Sequence, residues 1–306
     1  MFDDFQSHTL QHFLKNKINN SKVYHYKLRQ LANCGVVGEV TNGVHVLSNG
    51  TDTRILGVKM CGHSWVCPAC TAKKMAKYSR RVGAAIDALS EQGYAAFMIT
   101  FTVFHTKAMT CKQTYELLRK TFHSMTKQAN WKRKKKDGSG FYVSSGIWNN
   151  FIRDFNIKHT IKTLEVTYGK HGWHPHIHML FFVEKKRLQE IAKIEESLVE
   201  YWNKHCDKIA KEIFTPKQYE IRKFLESKTD REDAEHKSVY ISKDDNGNIL
   251  QVHSGDYLCG WGANNELTGG AKELKVARKD NLTPLQMLQK AYDLERFDPV
   301  QSRRYL

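Results

Sequence analysis

The chain has 306 residues, enough to bury one large hydrophobic core or two modest ones. Its 48 Lys and Arg against 32 Asp and Glu give a formal net charge of +16, which indicates a polyanionic partner, first of all nucleic acid. No apolar run approaches the roughly 20 residues that span a bilayer, and the first residues lack the pattern of a signal peptide. We therefore expect a cytoplasmic protein with no membrane partner, whose seven cysteines are reduced thiols or metal ligands.

The first part of the chain predicts a helical arm and a small metal-binding module. Apolar residues at near-helical spacing predict an N-terminal helical arm over residues 1–33. Residues 34–90 are predicted to form a zinc-binding module and a basic helix. Within this part, residues 44–47 and 54–58 are strand-like, and residues 73–89 have the apolar spacing of an amphipathic helix.

A cysteine motif lies between these strands and the helix, in the segment Cys61-Gly62-His63-Ser64-Trp65-Val66-Cys67-Pro68-Ala69-Cys70. Thiolates and imidazoles at this spacing fit a closed, tetrahedral Zn²⁺ site. The simplest ligand set is Cys34, Cys61, Cys67 and Cys70, with His63 as a substitute. The alternatives to a zinc site are buried free cysteines or a redox-active cysteine pair. The module has too few apolar residues to fold without a stabilising metal ion, which favours zinc.

The remainder, residues 91–306, is predicted to form one larger domain. Strong strand and helix patterns cover residues 95–103, 114–125 and 148–155, and residues 185–213 predict a long amphipathic helix or a helix pair. The order of strand, helix, two-strand hairpin, helix and further strands favours an α+β fold over a doubly wound parallel one. We expect a central, mainly antiparallel sheet with flanking helices.

The segment His174-Pro175-His176-Ile177-His178 has histidines two residues apart in a predicted strand. Side chains at i and i+2 of a strand share a face, so His176 and His178 are expected side by side, with His174 outside the ligand set or a weaker candidate. The preceding strand, residues 163–168, predicts a hairpin that brings Glu165 beside them. Two imidazoles and a carboxylate with open coordination positions suit a divalent ion that acts on an oxyanion substrate.

With further motifs downstream, the chain resembles the rolling-circle replication initiators of bacterial plasmids, which belong to the HUH endonucleases, named for histidine-hydrophobic-histidine. The resemblance runs in register from about Cys34 to Leu288. Each motif is weak alone, but their common order is specific. The shared segments are Cys61–Cys70, Met98–Thr102, Gly172–His178, Tyr257–Gly262, Glu266–Gly269 and Thr283–Leu288.

The resemblance implies an HUH endonuclease domain that nicks single-stranded DNA at a replication origin. A tyrosine would attack a phosphodiester, leaving a 5′-phosphotyrosine bond and a free 3′-hydroxyl that primes a polymerase. Mn²⁺ or Mg²⁺, bound by Glu165, His176 and His178, would be the catalytic cofactor, and Zn²⁺ the structural one. The implied partners are origin DNA and the host helicase and polymerase.

The nucleophile is either Tyr257 or Tyr240. The family's tyrosine is usually followed three residues later by a lysine, as Tyr240 is by Lys243, which could stabilise the phosphate. The tryptophan-glycine and glutamate-leucine-threonine segments downstream favour Tyr257, which we assign first. Some relatives carry a glutamate four residues before the tyrosine to end the cycle by hydrolysis. Here His253 and His236 stand at those positions, which puts hydrolytic termination in doubt.

Basic and aromatic residues suggest two DNA-binding surfaces, a basic helix and a basic loop over residues 131–138. Lysine and arginine neutralise phosphates, and tryptophan stacks on unpaired bases. For Trp173, packing against a neighbouring strand is the alternative. The candidates are Lys73, Lys77, Arg80, Trp131, Lys132, Arg133, Lys134 and Trp173.

Two other functions fit parts of the pattern. A single-tyrosine HUH transposase or relaxase uses the same chemistry, although the order of motifs favours replication. A zinc-stabilised DNA-binding protein without catalytic activity would use the histidines as a second structural site, and it would not cleave single-stranded DNA in the presence of Mn²⁺.

Overall fold

A computed structural model describes residues 34–35, 43–48, 53–63, 67–127, 131–134, 141–144, 146–228 and 238–254, and residues 282, 286–287 and 290 near the end of the chain. The predicted N-terminal arm and Tyr257 lie outside these residues. The chain divides into two compact units, Met1–Tyr78 with Leu282–Leu306, and Ser79–Asn281. This boundary falls inside the first helix below, whereas the sequence suggested a boundary after residue 90, and the three-part division stays a prediction.

The smaller unit contains a short hairpin and the start of a long helix. Strands β1 (His45–Ser48) and β2 (Thr53–Leu56) pair antiparallel, close to the two segments predicted as strands. Helix α1 (Pro68–Glu91) begins one residue after Cys67. Proline suits the first position of a helix, because its φ angle is already helical and the missing N–H would have no partner there.

The larger unit contains the remaining elements, built around a four-stranded antiparallel sheet of order β6-β7-β3-β8. Strands β4 and β5 pair separately as a two-stranded sheet. In chain order the elements are β3 (Tyr94–Thr102), α2 (Cys111–Thr126), β4 (Trp131–Lys134), β5 (Phe141–Ser144), α3 (Ile147–Asp154), β6 (Thr160–Gly169), β7 (Gly172–Glu184), a 3₁₀ helix (Lys185–Ile194), α4 (Glu195–Ile213), α5 (Pro216–Lys228) and β8 (Val239–Ile241).

The predicted α+β class with an antiparallel sheet and flanking helices is confirmed. One local prediction was wrong: residues 131–134 form strand β4 rather than part of a loop. The cause is pairing with the next strand along the chain, β5, which is rich in aromatic and β-branched residues. The predicted long helix over residues 185–213 divides into a 3₁₀ helix and α4.

The central sheet buries apolar side chains on both faces, because alternate residues of a strand point to opposite sides. On one face, Phe97, Ile99 and Phe101 of β3 join a core with helices α2, α3 and α4. On the other face, Met98 and Leu180 belong to a smaller cluster with residues from the second half of α1. Toward the end of β3 this second face becomes polar, and there the candidate site lies.

The hairpin between β6 and β7 depends on a glycine. Gly172 has a φ of +95°, a conformation that L-residues rarely adopt, and a Cβ there would lie 2.9 Å from the carbonyl oxygen of Thr106. Only glycine fits, so this turn fixes the register of the two strands that it joins. Among the described residues, none of the helices is long and apolar enough to cross a membrane.

Candidate functional site

The β6–β7 hairpin brings together the three residues that the sequence predicted as metal ligands. Glu165 is the direct cross-strand partner of His176, and His178 follows two residues later on the same face. All three side chains are buried, with 5%, 6% and 2% of their surface exposed for Glu165, His176 and His178. The predicted alternation and hairpin are therefore confirmed in their geometry.

The ligand atoms of these residues converge on one point. Oε2 of Glu165 lies 3.0 Å from Nε2 of His176 and 3.1 Å from Nε2 of His178. The ligand atoms of the three residues all lie within 4.8 Å of one another. We call this group the Glu-His-His site. Its two nitrogens and one oxygen form a donor set that suits a divalent transition metal with coordination positions left open.

Each histidine of the site is oriented through its other ring nitrogen. Nδ1–H of His176 donates to the carbonyl oxygen of His174 over 3.2 Å, which leaves a lone pair on Nε2 when the ring is neutral. Nδ1 of His178 lies 2.9 Å from the hydroxyl of Thr100. Lone pairs on two nitrogens and a carboxylate oxygen repel one another unless a proton or a cation lies between them. The residues present therefore fit a bound metal ion.

His174 is outside this group of ligand atoms, as the sequence analysis expected, although strand alternation places it on the same face. Its Nε2 lies 2.9 Å from the hydroxyl of Thr102, and its ring stacks on that of His105 with centroids 4.6 Å apart. The sequence did not predict the contacts of Thr100 and Thr102 with histidines. The available signal was two buried threonines, two residues apart, on a strand that could pair with the histidine strand.

The four predicted cysteine ligands also come together, in the smaller unit. The Sγ atoms of Cys34, Cys61, Cys67 and Cys70 all lie within 4.8 Å of one another, and His63 is not part of the group. The Sγ–Sγ distances are 3.4 Å for Cys34–Cys67 and 3.6 Å for both Cys34–Cys70 and Cys61–Cys70. A tetrahedral site with Zn–S bonds of about 2.3 Å requires sulfurs about 3.8 Å apart, so the fit is close. We call this group the four-cysteine site.

Main-chain N–H groups point at the sulfurs of the four-cysteine site. Those of Gly62 and His63 donate to Sγ of Cys70 and Cys61 over 3.3 Å and 3.4 Å. Burial raises the pKa of Cys61 to about 12, whereas at Cys70 the Gly62 N–H and the neighbouring thiols outweigh burial and lower the pKa. Buried thiols this close can ionise together only if a cation offsets their charge.

Of the two candidate nucleophiles, the structure describes Tyr240. This residue lies on β8 and pairs with Thr100 of β3, which pairs on its other side with His178. Directly paired residues share a face, so Tyr240 projects from the same face of the sheet as the Glu-His-His site. Lys243, three residues later, forms an ion pair with Glu195 of α4.

The predicted DNA-binding residues fall into three groups. Lys73, Lys77 and Arg80 are exposed on α1 at helical spacing. Trp131, Lys132, Arg133 and Lys134 lie on β4, where the structure describes the backbone only. Trp173 packs edge-to-face on Tyr168 with ring centroids 5.1 Å apart, and strand alternation directs it to the opposite face from His174 and His176. This contact is the strand packing named as the alternative, and base stacking by Trp173 stays a prediction.

The chain contains an α+β fold and two groups of residues that could hold a metal ion. The chain is 27% identical over 283 residues to a protein named Protein rep of Streptomyces lividans, across 83% of this chain and 58% of that protein. It is 29% identical over 146 residues to a Neomycin resistance protein of Streptomyces cyanogenus, across 42% of this chain and 31% of that protein. No family model and no solved structure matches.

The chain thus spans less than two thirds of the length of either relative. The predicted resemblance to Rep-type replication proteins is nevertheless confirmed, because most of the chain aligns with the Streptomyces lividans protein.

Proposed function

We propose that this protein is a replication initiator that nicks single-stranded DNA at a rolling-circle origin, using an HUH-type active site. The observation that carries the proposal is the convergence of Glu165, His176 and His178 through one carboxylate oxygen and two Nε2 atoms. Three ligands leave coordination positions open, as catalytic metal sites require. The similarity to Protein rep connects this site with replication.

The chemistry follows from the donor set. Mn²⁺ or Mg²⁺ in the Glu-His-His site would supply a Lewis acid that binds the scissile phosphate oxygens and offsets developing negative charge. The tyrosine oxygen forms the new bond to phosphorus, the bond to the 3′-oxygen breaks, and the proton lost by tyrosine is balanced by one gained at the 3′-hydroxyl. The phosphodiester energy is retained in the 5′-phosphotyrosine bond, and the 3′-hydroxyl primes the host polymerase.

We assign the nucleophile to Tyr240, with Tyr257 as the alternative. The downstream motifs favoured Tyr257, which is outside the described residues. Tyr240 has two arguments in its support: it shares the face of the Glu-His-His site through the Thr100 pairing, and Lys243 follows at the family's spacing. Lys243 forms an ion pair with Glu195. We therefore assign this lysine a structural role rather than stabilisation of the scissile phosphate.

The other parts of the proposal concern stability and DNA binding. Zn²⁺ in the four-cysteine site would hold the small unit together, since its closed ligand set leaves no position for a substrate. The exposed basic face of α1 would bind the phosphates of origin DNA. The expected setting is the cytoplasm, where the host helicase unwinds the duplex after the nick.

The direct test is cleavage of a library of single-stranded oligonucleotides that tile the replicon encoding this chain. We expect cleavage by the wild type with Mn²⁺, none after chelation, and none by His178→Ala. His159→Ala is the matched control, because His159 is exposed and precedes β6 outside the site. A wild type that binds the library but never cleaves it would favour the DNA-binding protein without catalytic activity.

Transposases and relaxases would also cleave in this assay, so a second measurement is needed for replication itself. A plasmid that carries the cleaved sequence should replicate in cells that supply the wild-type chain and fail in cells that supply His178→Ala. Cleavage without plasmid replication would instead support a transposase or relaxase.

A further inference from the structure

The two metal-ligating histidines differ in what orients them. His176 donates its Nδ1–H to the carbonyl oxygen of His174, a main-chain atom two residues away on the same strand. His178 has its Nδ1 2.9 Å from Oγ1 of Thr100, a side chain on the neighbouring strand β3. The Nδ1 partner of His176 is therefore a main-chain atom, whereas that of His178 is the hydroxyl of a side chain on another strand.

Thr100 is held rigidly enough to orient a ring. It lies opposite His178 in the β3–β7 ladder, and its hydroxyl belongs to a side chain that is only 1% exposed. Its neighbours Ile99 and Phe101 are fully buried in the helix-covered core, which fixes the strand on its other face. Threonine is also restricted at χ1, so the hydroxyl has few alternative positions.

The neighbouring threonine does not act on a ligand. Thr102 lies opposite His176 in the same ladder, yet its hydroxyl is 2.9 Å from Nε2 of His174. His174 is outside the group of converging ligand atoms. Two buried threonines on one face of one strand thus contact two different histidines, of which only one is a metal ligand.

We propose that Thr100 is a positioning residue for the metal ligand His178, a role that rests on the metal site of the proposed function. By accepting the Nδ1–H of His178, the hydroxyl selects the tautomer whose Nε2 lone pair faces Glu165 and fixes the plane of the ring. Partners of this kind affect metal affinity, and their removal typically weakens binding 10- to 100-fold. A neutral hydroxyl also leaves the imidazole less basic than a carboxylate partner does, which suits a weakly bound, exchangeable ion.

The test compares the Mn²⁺ affinities of four full-length, zinc-loaded proteins by isothermal titration calorimetry. Thr100→Val removes the hydroxyl at nearly constant shape, and we expect its Kd to rise about 10- to 100-fold. Thr100→Ser keeps the hydroxyl and should bind as the wild type does. Thr102→Val is the matched control and should also retain wild-type affinity. If Thr100→Val does not fold, Thr100→Ala makes the same comparison.

A second measurement reports the tautomer directly. The ¹⁵N chemical shifts of His178 in the protein loaded with diamagnetic Mg²⁺ should show Nε2 coordinated and Nδ1 protonated in the wild type and in Thr100→Ser, and a mixture of coordinated and free rings in Thr100→Val. A purely structural role for Thr100 would lower the melting temperature without changing either the shifts or the Mn²⁺ affinity.

The outcomes separate this inference from the proposed function. Equal Mn²⁺ affinity in Thr100→Val and the wild type would overturn the inference, as would an equal loss in Thr102→Val. A wild type that binds no Mn²⁺ would overturn it as well, because there would be no ligand to position. A wild type that binds Mn²⁺ but does not cleave DNA would contradict the proposed nicking activity, while the affinity comparison would still decide the role of Thr100.

Discussion

The four-cysteine site and the Glu-His-His site both bring potential metal ligands together, but they differ in the number of donor atoms and in the hydrophobic core around them. The first surrounds its centre with four sulfurs, supplied by loops and the first turn of α1, in a unit whose described residues belong to neither hydrophobic cluster. The second supplies two nitrogens and one oxygen from a hairpin already stabilised by a large hydrophobic core. Under the proposed function, zinc would complete the fold of the smaller unit, whereas the core of the larger unit would let its metal site keep coordination positions open for a substrate.

The largest effect should follow from breaking the four-cysteine site. Cys70→Ala removes one sulfur and should abolish zinc binding, together with folding of the small unit, because structural zinc contributes about 10 to 16 kcal/mol to such modules. Zinc content by mass spectrometry and limited proteolysis measure the two losses. Cys111→Ser is the control, since Cys111 lies on α2 outside the cluster. If Cys70→Ala retained both zinc and protease resistance, the four-cysteine site would have no structural role.

Breaking the Glu-His-His site should affect chemistry and leave the fold intact. Glu165→Gln keeps the shape of the side chain but removes the charge that faces both histidines. We expect the rate of DNA cleavage to fall about 100- to 1000-fold, the usual consequence of losing one electrostatic contact in an active site. Circular dichroism should show an unchanged structure. Unfolding of Glu165→Gln would instead mean that this site, like the other one, stabilises the protein.

A third variant tests whether the larger unit is stabilised by its core rather than by metal. The fully buried Trp202 of α4 donates its Nε1–H to the carbonyl oxygen of Thr102 over 2.9 Å. Trp202→Phe leaves that carbonyl without this donor, and we expect the free energy of unfolding to fall by about 1 to 3 kcal/mol. Zinc content should not change. Chemical denaturation measures the change in the free energy of unfolding. Trp173→Phe, at a half-buried position, is the control and should lower this free energy by less.

The smallest effect is expected on the basic face of α1. Lys77→Ala removes one exposed charge, so the affinity for a generic single-stranded oligonucleotide should fall only a few-fold at moderate salt. The slope of log K against log salt concentration should decrease by about 0.7 if Lys77 contacts one phosphate. Fluorescence anisotropy at several salt concentrations measures both. Lys217→Ala on α5 is the control, and an equal change there would indicate unspecific charge attraction.

Local patterns predicted which residues come together in each of the two sites. Strand alternation is a short-range property, so the sequence alone was enough to place His176 and His178 side by side. Alternation places His174 on the same face, and its contact with Thr102 on β3 is what sets it apart. The turn at Gly172 is equally local, and it sets the register that brings Glu165 to the histidines. The cysteine spacing, with Cys34 added from a distance, predicted the same four sulfurs that converge in the structure.

Long-range pairing explains what the sequence could not provide. The contact of Thr100 with His178 requires β3 to lie beside β7, a choice among several strands that no local pattern makes. The same holds for Tyr240, which lies beside Thr100 although 140 residues separate them. At β4 the reason is different. A run of basic residues suggested a loop, but these residues form a strand because they pair with the neighbouring strand β5.

The central claim is that the Glu-His-His site supports transesterification by a tyrosine. The most direct measurement is mass spectrometry of the peptide that becomes covalently attached to a cleaved, single-stranded origin oligonucleotide in the presence of Mn²⁺. We predict a 5′-phosphotyrosine on Tyr240 in the wild type and no adduct in His178→Ala. An adduct on Tyr257 would change the assigned nucleophile and leave the proposed chemistry as it is. The absence of any adduct in the cleaving wild type, or an undiminished adduct in His178→Ala, would contradict the account.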